Sequence, residues 1–150
     1  MFTTKEQNII DQAISIIESK ALVSDLVATS SRAVKEYCQL HLGNEEREHF
    51  GVLFLNNQHE LIEFNIMFKG TIDAAAVYPR EILKHALKVN AAAIILTHNH
   101  PSGVLRQSVA DVTITTRIKK ALNVVDITLL DHVIVSNKGA ITFTENGVQF

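Results

Sequence analysis

The stretch AAAIILTHNHPSGVLRQSVAD, residues 91–111, carries most of the information about the fold of this chain. Its first part, residues 91–96, is short and wholly apolar, which is typical of a strand covered on both faces. Two histidines two positions apart, His98 and His100, follow this run, and a Pro-Ser-Gly turn comes next. Ser108 then has the character of a helix N-cap. The stretch therefore predicts a buried strand, a polar loop and a helix in direct succession.

The sequence before this stretch predicts two helices and a hairpin. Apolar residues with helical spacing favour a first helix over about residues 3–20 and a second over about residues 30–42, ended near Gly43. The pattern then changes to that of strands. Residues 50–55 and 61–68 flank an Asn-Asn-Gln turn and are expected to pair as a hairpin.

The remaining elements complete an alternating order. Pro79 indicates the first position of a third helix. A fourth helix is expected over about residues 108–122, then one strand or a pair over residues 124–135, and a last short strand over residues 140–143. Since helices alternate with strands through the middle of the chain, the fold class is α/β with a mixed sheet flanked by helices. Parallel connections through helices would lie beside the hairpin.

Length and composition limit the class of protein. The chain has 150 residues, of which 47% are hydrophobic and 20% charged, as in an ordinary globular domain. The net charge of −2 lacks the basic field of a dedicated nucleic-acid binder. The single cysteine, Cys38, cannot form an internal disulfide and fits a reducing compartment. Neither a signal peptide nor a membrane span is visible, so we expect a soluble cytoplasmic protein.

The two histidines and a nearby carboxylate have the pattern of a metal site. In extended backbone, residues two apart point to the same side, so His98 and His100 can converge on one ion. A helix N-terminus that faces the histidine loop would bring Asp111 to the same place. Ser108 and Asp111 also match a helix cap with an acidic third position, which is compatible with ligation. Three protein ligands leave a fourth position open, as in catalytic zinc sites.

Longer strings of the sequence resemble a known family. GTIDAAAVYPREILKHALKVNAAAIILTHNHPSG, with SVADVTIT and LLDHVIV further on, is similar to the RadC family, the bacterial branch of the JAMM/MPN metalloprotease domains. The resemblance covers about residues 28–150 and leaves residues 1–27 as an N-terminal helical extension of one domain, residues 1–150. It implies the JAMM/MPN fold, whose layering is similar to that of cytidine deaminases.

The resemblance also implies an active site. His98, His100 and Asp111 would hold Zn²⁺ with a water molecule in the open position, and Ser108 would donate a hydrogen bond to the oxyanion. A glutamate just before an aromatic residue at the start of the first core strand would act as the general base. Glu48 fits that place, with Glu46 as the alternative. The implied reaction is hydrolysis of an amide bond in a peptide or protein, by a peptidase or isopeptidase.

The chain departs from the family pattern at some positions. Asn99 stands where many JAMM peptidases have Ser or Thr, as in the RadC branch, and Gln107 replaces a proline that usually precedes the serine. The pair Asp131-His132 is a family hallmark that we interpret as a polar pair that ends a strand and is hydrogen-bonded near the site, rather than as ligands. The region before residue 44 is too short for the DNA-binding-type segment of full-length relatives, so the chain resembles the short form.

Two other functions remain open at this stage. A RadC-type accessory protein of DNA repair would need no catalysis, although the negative charge argues against direct DNA binding. A non-enzymatic MPN interaction module is the second alternative, but such modules typically lose the ligands that this chain keeps. A deaminase is excluded because the required Pro-Cys-x-x-Cys motif is absent. The hairpin edge and the N-terminal helix are candidate surfaces for a homodimer.

Overall fold

A computed structural model describes residues 2–21, 30–70 and 76–150 of the chain. Helices and strands alternate along these residues, as the sequence predicts. In chain order, the described elements are α1 (Thr4–Ala21), α2 (Ser31–Leu42), β1 (His49–Leu55), β2 (Leu61–Lys69), α3 (Pro79–Lys88), β3 (Ala93–Asn99), α4 (Val109–Asn123), β4 (Thr128–Ser136) and β5 (Gly139–Thr142).

The strands form one mixed sheet in the order β2-β1-β3-β4-β5. The pairs β1–β2, β1–β3 and β4–β5 are antiparallel, whereas β3 and β4 are parallel. Parallel neighbours need a crossover connection, and α4 supplies it. The α/β class, the mixed sheet and the hairpin are therefore confirmed, and the architecture is consistent with a JAB/MPN fold.

Strand β3 lies in the middle of the sheet and runs further than the sequence suggests. The apolar run predicts a strand over residues 91–96, but the strand continues to Asn99 and includes His98. Backbone pairing on both edges holds these polar residues in the sheet, since His98 pairs with Phe50 of β1 and Asn99 with Val135 of β4. All seven residues of β3 are buried. Only His100 lies beyond the strand.

The two faces of the sheet are covered by different helices. On one face, Ala93 and Ile95 of β3 pack in a cluster that also contains residues of α2. On the other face, Ile94 and Leu96 pack with residues of α3 and α4. Because side chains alternate along a strand, His98 continues the α4 face. The pleat of β3 therefore decides that this histidine meets α4.

The helix starts follow from local side-chain chemistry. The Ser30 hydroxyl accepts a hydrogen bond from the Ala33 amide at 3.2 Å and caps α2. Pro79 is the first residue of α3, where its missing N–H costs nothing. Ser108 caps α4 in a full capping box with Asp111. These three starts agree with the sequence prediction.

The strand predicted over residues 124–135 begins later, at Thr128. Residues 124–127 instead close the end of α4, with Asp126 in the left-handed region at φ 59°. The amides of Asp126 and Ile127 donate to the carbonyls of Asn123 and Leu122 at 3.3 and 3.1 Å, the pattern of a Schellman motif. Apolar side chains in this turn had made it look like a strand.

The N-terminal helix packs on α2. Ile17 of α1 contacts the α2 side of the core, and the Tyr37 hydroxyl donates to Glu18 Oε1 at 3.3 Å. Ile9 and Ile16 are more than half exposed, at 58% and 56%. The predicted boundary between residues 27 and 28 falls in the segment 22–29, which lies outside the described residues.

The described helices are too short or too polar to cross a lipid bilayer.

The sheet leaves no room for a side chain at Gly51, so we expect a larger residue there to lower the stability of the fold. A β-carbon there would lie 2.7 Å from Cε2 of Phe64 and 3.2 Å from Cγ2 of Thr97. We expect Gly51→Ala to lower the free energy of unfolding by about 1–3 kcal/mol, as overpacking does. Urea unfolding measures the loss. The loss should shrink in a Phe64→Leu background, and equal losses in both backgrounds would refute the clash with the ring.

Candidate metal centre

The site is built around His98, near the carboxyl end of β3. Its side chain is 1% exposed and lies on the face of the sheet covered by α4. The Phe50 ring is nearly parallel to it, with 6.0 Å between ring centroids and 13° between planes. The pleat and the neighbouring ring therefore fix the direction of this imidazole.

His100 follows β3 and is held by the loop after it. Its amide donates to the Val135 carbonyl at 2.8 Å, and the Gly103 amide closes a turn onto the His100 carbonyl at 2.9 Å. Gly103 has φ 82°, which glycine adopts without strain. This turn places the Val104 carbonyl 2.7 Å from Nδ1 of His100. Because a carbonyl can only accept, Nδ1 donates, and Nε2 of His100 keeps its lone pair.

Asp111 reaches the site from the first turn of α4. Its amide donates to the Ser108 hydroxyl at 3.0 Å, while the Ser108 amide donates to Oδ2 of Asp111 at 2.8 Å. This reciprocal pair immobilises the carboxylate and ties it to the helix start. The Ser108 side chain is exposed, and its hydroxyl proton stays free for another acceptor.

The three predicted ligands converge. Nε2 of His98 lies 2.8 Å from Nε2 of His100 and 3.3 Å from Oδ1 of Asp111, and Nε2 of His100 lies 3.5 Å from Oδ2 of Asp111. One ligand atom from each residue falls within 4.8 Å of the others. Ligand atoms about 2.0–2.1 Å from a tetrahedral zinc are separated by roughly 3.3 Å. The donor set and its spacing therefore suit one such ion.

The Asp111 carboxylate and the His100 imidazole of the triplet shift one another's pKa values toward their charged forms. Burial by itself would raise the pKa of Asp111, but the adjacent His100 and His98 imidazoles outweigh it and hold that pKa far below its usual range. Contact with the Asp111 carboxylate raises the pKa of His100. A carboxylate that stays ionised beside two imidazoles is a strong electrostatic partner for a cation.

Glu48 lies at the edge of the triplet, directly before β1. It is half-buried, and its carbonyl accepts from the Gly70 amide at 2.8 Å. Burial raises the pKa of its carboxyl, the charges of His98 and His100 oppose the rise, and Asp111 adds to it. Glu48 is thus in electrostatic reach of all three residues. Its alternative, Glu46, is exposed.

Asn99 is a positioning residue that the sequence pattern did not reveal. Its side chain is 1% exposed; Oδ1 accepts from the His49 amide at 2.7 Å, and Nδ2 donates to the carbonyls of Glu45 and Arg47 at 3.2 and 2.9 Å. One amide thereby clamps the segment that carries Glu48 onto the histidine strand. A polar residue between the two histidines was the available signal, but its partners lie about fifty positions away.

The hallmark pair Asp131-His132 lies within β4 rather than at the end of a strand. Its two members make different contacts. His132 is fully buried, and its Nε2 lies 2.8 Å from Nδ1 of His98. Burial lowers the pKa of His132 well below its usual value. Oδ1 of Asp131 accepts from the amides of His132 and Thr144 at 2.8 and 3.1 Å, which ties β4 to the segment after β5. Neither residue joins the ligand triplet, in line with the interpretation from sequence.

A groove of about 700 Å³ borders the triplet on the side of His100. Its walls come from the N-terminal residues, the segment before β1, the loop after β3 and the turn between β4 and β5, and they include Phe2, Glu45, Glu46, Pro101 and Asn137. A volume in this range is ordinary for a site that receives a small molecule or a short segment of chain.

The clamp by Asn99 generates a prediction. Asn99→Ala leaves a buried amide and two carbonyls without partners, so the free energy of unfolding should fall by about 1–3 kcal/mol. Zinc affinity should change little, because the ligand atoms belong to other residues. Asn123→Ala, at the exposed end of α4, is the matched control. Calorimetric zinc titration and urea unfolding measure both quantities, and a stability equal to that of the control would contradict the clamp.

Comparisons with known proteins identify the family of this chain. The family model for the RadC-like JAB domain matches residues 28–148. A UPF0758 protein of Vibrio cholerae is 49% identical over 142 residues, which is 95% of this chain and 89% of that protein. UPF0758 protein YkfG of Escherichia coli K12 is 42% identical over 97% of this chain and 92% of its own length. A UPF0758 protein of Marinomonas is 50% identical over 85% of this chain, a match that spans 57% of that longer relative. The chain therefore belongs to the family of RadC-like JAB domains.

Proposed function

We propose that this domain is a zinc-dependent hydrolase that cleaves an amide bond in a peptide or protein. The observation that carries the proposal is the convergence of His98, His100 and Asp111 within 4.8 Å of one another. Two imidazoles and one carboxylate are a donor set that catalytic zinc sites use, and three ligands leave one position open. A structural zinc site would use four protein ligands instead.

The chain's own residues have separate tasks in this proposal. A zinc ion held by the triplet supplies a Lewis acid and lowers the pKa of a water molecule toward neutrality. The Glu48 carboxylate takes a proton from the attacking water as its oxygen bonds to the scissile carbonyl carbon. Glu48 then gives that proton to the amine nitrogen as the C–N bond breaks. The pKa of Glu48 is shifted upward by burial, the direction that suits both roles, because a group that takes and then gives a proton works best when its pKa approaches the working pH.

Ser108 is the proposed oxyanion donor. Its hydroxyl already accepts from the Asp111 amide, which fixes the oxygen, and its proton can be donated to charge that develops on the carbonyl oxygen. The capping of α4 and the stabilisation of the oxyanion use different capacities of the same hydroxyl. One residue can therefore serve both.

The groove beside His100 supports a chain-like substrate. It lies between residues 43–46, just before the segment that carries Glu48, and the loop that carries His100, so a peptide bound there would lie against one of the proposed ligands. This placement and the family membership support the proposed substrate class. Protein that folds but takes up no metal would favour an interaction module instead.

Zinc binding is the first test. Purified protein should bind about one zinc ion per chain, and His98→Ala should abolish binding because two ligands cannot hold the ion tightly. His59→Asn is the matched control: His59 lies in the β1–β2 turn at φ 63°, which asparagine tolerates. Metal analysis after dialysis measures the stoichiometry. Equal zinc content in His98→Ala and wild type would exclude the site.

The base is tested by two isosteric changes. Glu48→Gln should keep the fold and the bound zinc but lower kcat by about 10²- to 10⁴-fold, the usual worth of a general base. Glu46→Gln should leave kcat largely unchanged, because that side chain is exposed, and any effect of its place in the groove wall should fall on KM. Hydrolysis is followed on the substrate that wild type cleaves best in a panel of peptides and isopeptides. Loss in Glu46→Gln with none in Glu48→Gln would reverse the assignment.

A further inference from the structure

A chain of hydrogen bonds runs behind the metal centre, away from the groove. Nδ1 of His98 lies 2.8 Å from Nε2 of His132, and Nδ1 of His132 lies 2.6 Å from the Thr115 hydroxyl. That hydroxyl donates to the Asp111 carbonyl at 2.6 Å. The chain therefore starts at one metal ligand and ends on the backbone of another.

Hydrogen-bond chemistry sets the direction of this chain from its far end. The Asp111 carbonyl can only accept, so it takes the Thr115 proton, and the Thr115 oxygen is left as an acceptor for Nδ1–H of His132. In a neutral imidazole only one nitrogen carries hydrogen, so Nε2 of His132 is an acceptor. His98 must then donate from Nδ1, and its Nε2 keeps the lone pair.

The near end of the chain requires the same direction. A histidine that binds a metal through Nε2 carries its proton on Nδ1. The tautomer that ligation demands of His98 is thus the one that His132 and Thr115 impose. The second proposed histidine ligand is held in the same tautomer by the Val104 carbonyl, which accepts a hydrogen bond from Nδ1–H of His100 at 2.7 Å.

The surroundings of His132 keep this arrangement rigid. His132 and Thr115 are both fully buried. The His132 ring stacks on Phe143, with 4.6 Å between centroids and 26° between planes, and it meets Phe50 edge to face, with 5.5 Å between centroids and 74° between planes. Aromatic walls on both sides hinder rotation of the imidazole. The chain of hydrogen bonds is therefore enclosed by side chains that offer no competing polar group.

We propose that His132 and Thr115 are positioning residues of the metal site, which hold His98 in the tautomer and orientation that direct its Nε2 at the ion. This inference rests on the metal site proposed above, and it adds two residues that do not touch the ion. Strand β4 supplies one of them. Helix α4 supplies the other, one turn after Asp111. A single helix therefore carries both a proposed ligand and the last side chain of the hydrogen-bond chain His98–His132–Thr115, which we call the relay.

The relay predicts a graded loss of zinc affinity. Thr115→Val keeps the shape but removes the acceptor for Nδ1–H of His132, which frees that ring to take the opposite tautomer and turn an N–H against His98. We expect zinc to bind about 10- to 100-fold more weakly, the usual effect of losing a partner behind a metal ligand. Thr115→Ser keeps a hydroxyl and should restore most of the affinity.

A matched control is available on the same helix. Thr113 is exposed and its hydroxyl donates to the Val109 carbonyl at 2.9 Å, so Thr113→Val makes the same chemical change outside the relay. Competition between the protein and a chelator for zinc measures affinity in all three variants. Equal affinities in Thr115→Val and Thr113→Val would overturn the inference.

The tautomer of His98 gives a readout that needs neither zinc nor activity. Nitrogen NMR of zinc-free wild type should show His98 protonated on Nδ1, and His132→Phe should shift the proton to Nε2. Protonation of His98 on Nε2 in wild type would overturn the inference even if zinc binds. Wild type that binds no zinc but carries the Nδ1–H tautomer would refute the proposed function and support the relay. If His132→Phe does not fold, Thr115→Val against Thr115→Ser decides by the same spectrum.

Discussion

The pairing of β3 on both of its edges is the constraint on which the rest of the structure depends. β1 runs antiparallel to it on one side and β4 parallel on the other, and side chains from the helices cover both of its faces. Parallel pairing with β4 requires a crossover, and that crossover brings the start of α4 back to the carboxyl end of β3. Ligands in open α/β sheets collect at this end of the strands. The candidate metal centre lies where that strand end meets that helix start.

Because this junction is buried, the polar atoms in it need hydrogen-bond partners. Moving an imidazole out of water costs free energy unless its nitrogens find hydrogen-bond partners. The two nitrogens at the back of the site, Nδ1 of His98 and Nδ1 of His100, are paired with His132 and the Val104 carbonyl, whereas both Nε2 atoms point at one another and at Asp111. Two lone pairs 2.8 Å apart beside an ionised carboxylate are a receptor for a cation. The same pleat that turns His98 toward α4 turns Asn99 the other way, where it anchors the segment before β1.

Local patterns in the sequence were sufficient for much of this. All three proposed ligands lie within residues 98–111, a strand, a tight loop and a helix cap apart, so their spacing alone predicted that they meet. The helix starts at Ser30, Pro79 and Ser108 were predictable for the same reason. Prediction erred where pairing rather than pattern decides the outcome. Thr97, His98 and Asn99 look like a polar loop, yet hydrogen bonds from two neighbouring strands extend β3 through them.

Amino-acid order determined the α/β class, the donor types of the metal centre and the capping that ties Ser108 to Asp111, because each of these depends on residues within a turn or two of one another. It left open the neighbours that support those residues. Asn99 finds partners near residue 47, and His132 joins His98 to Thr115, across three elements of the folded chain. Such contacts form only when the sheet order brings distant strands side by side. Alternation along a strand predicts which face of the sheet a side chain occupies, but not which atom of a distant element it contacts there.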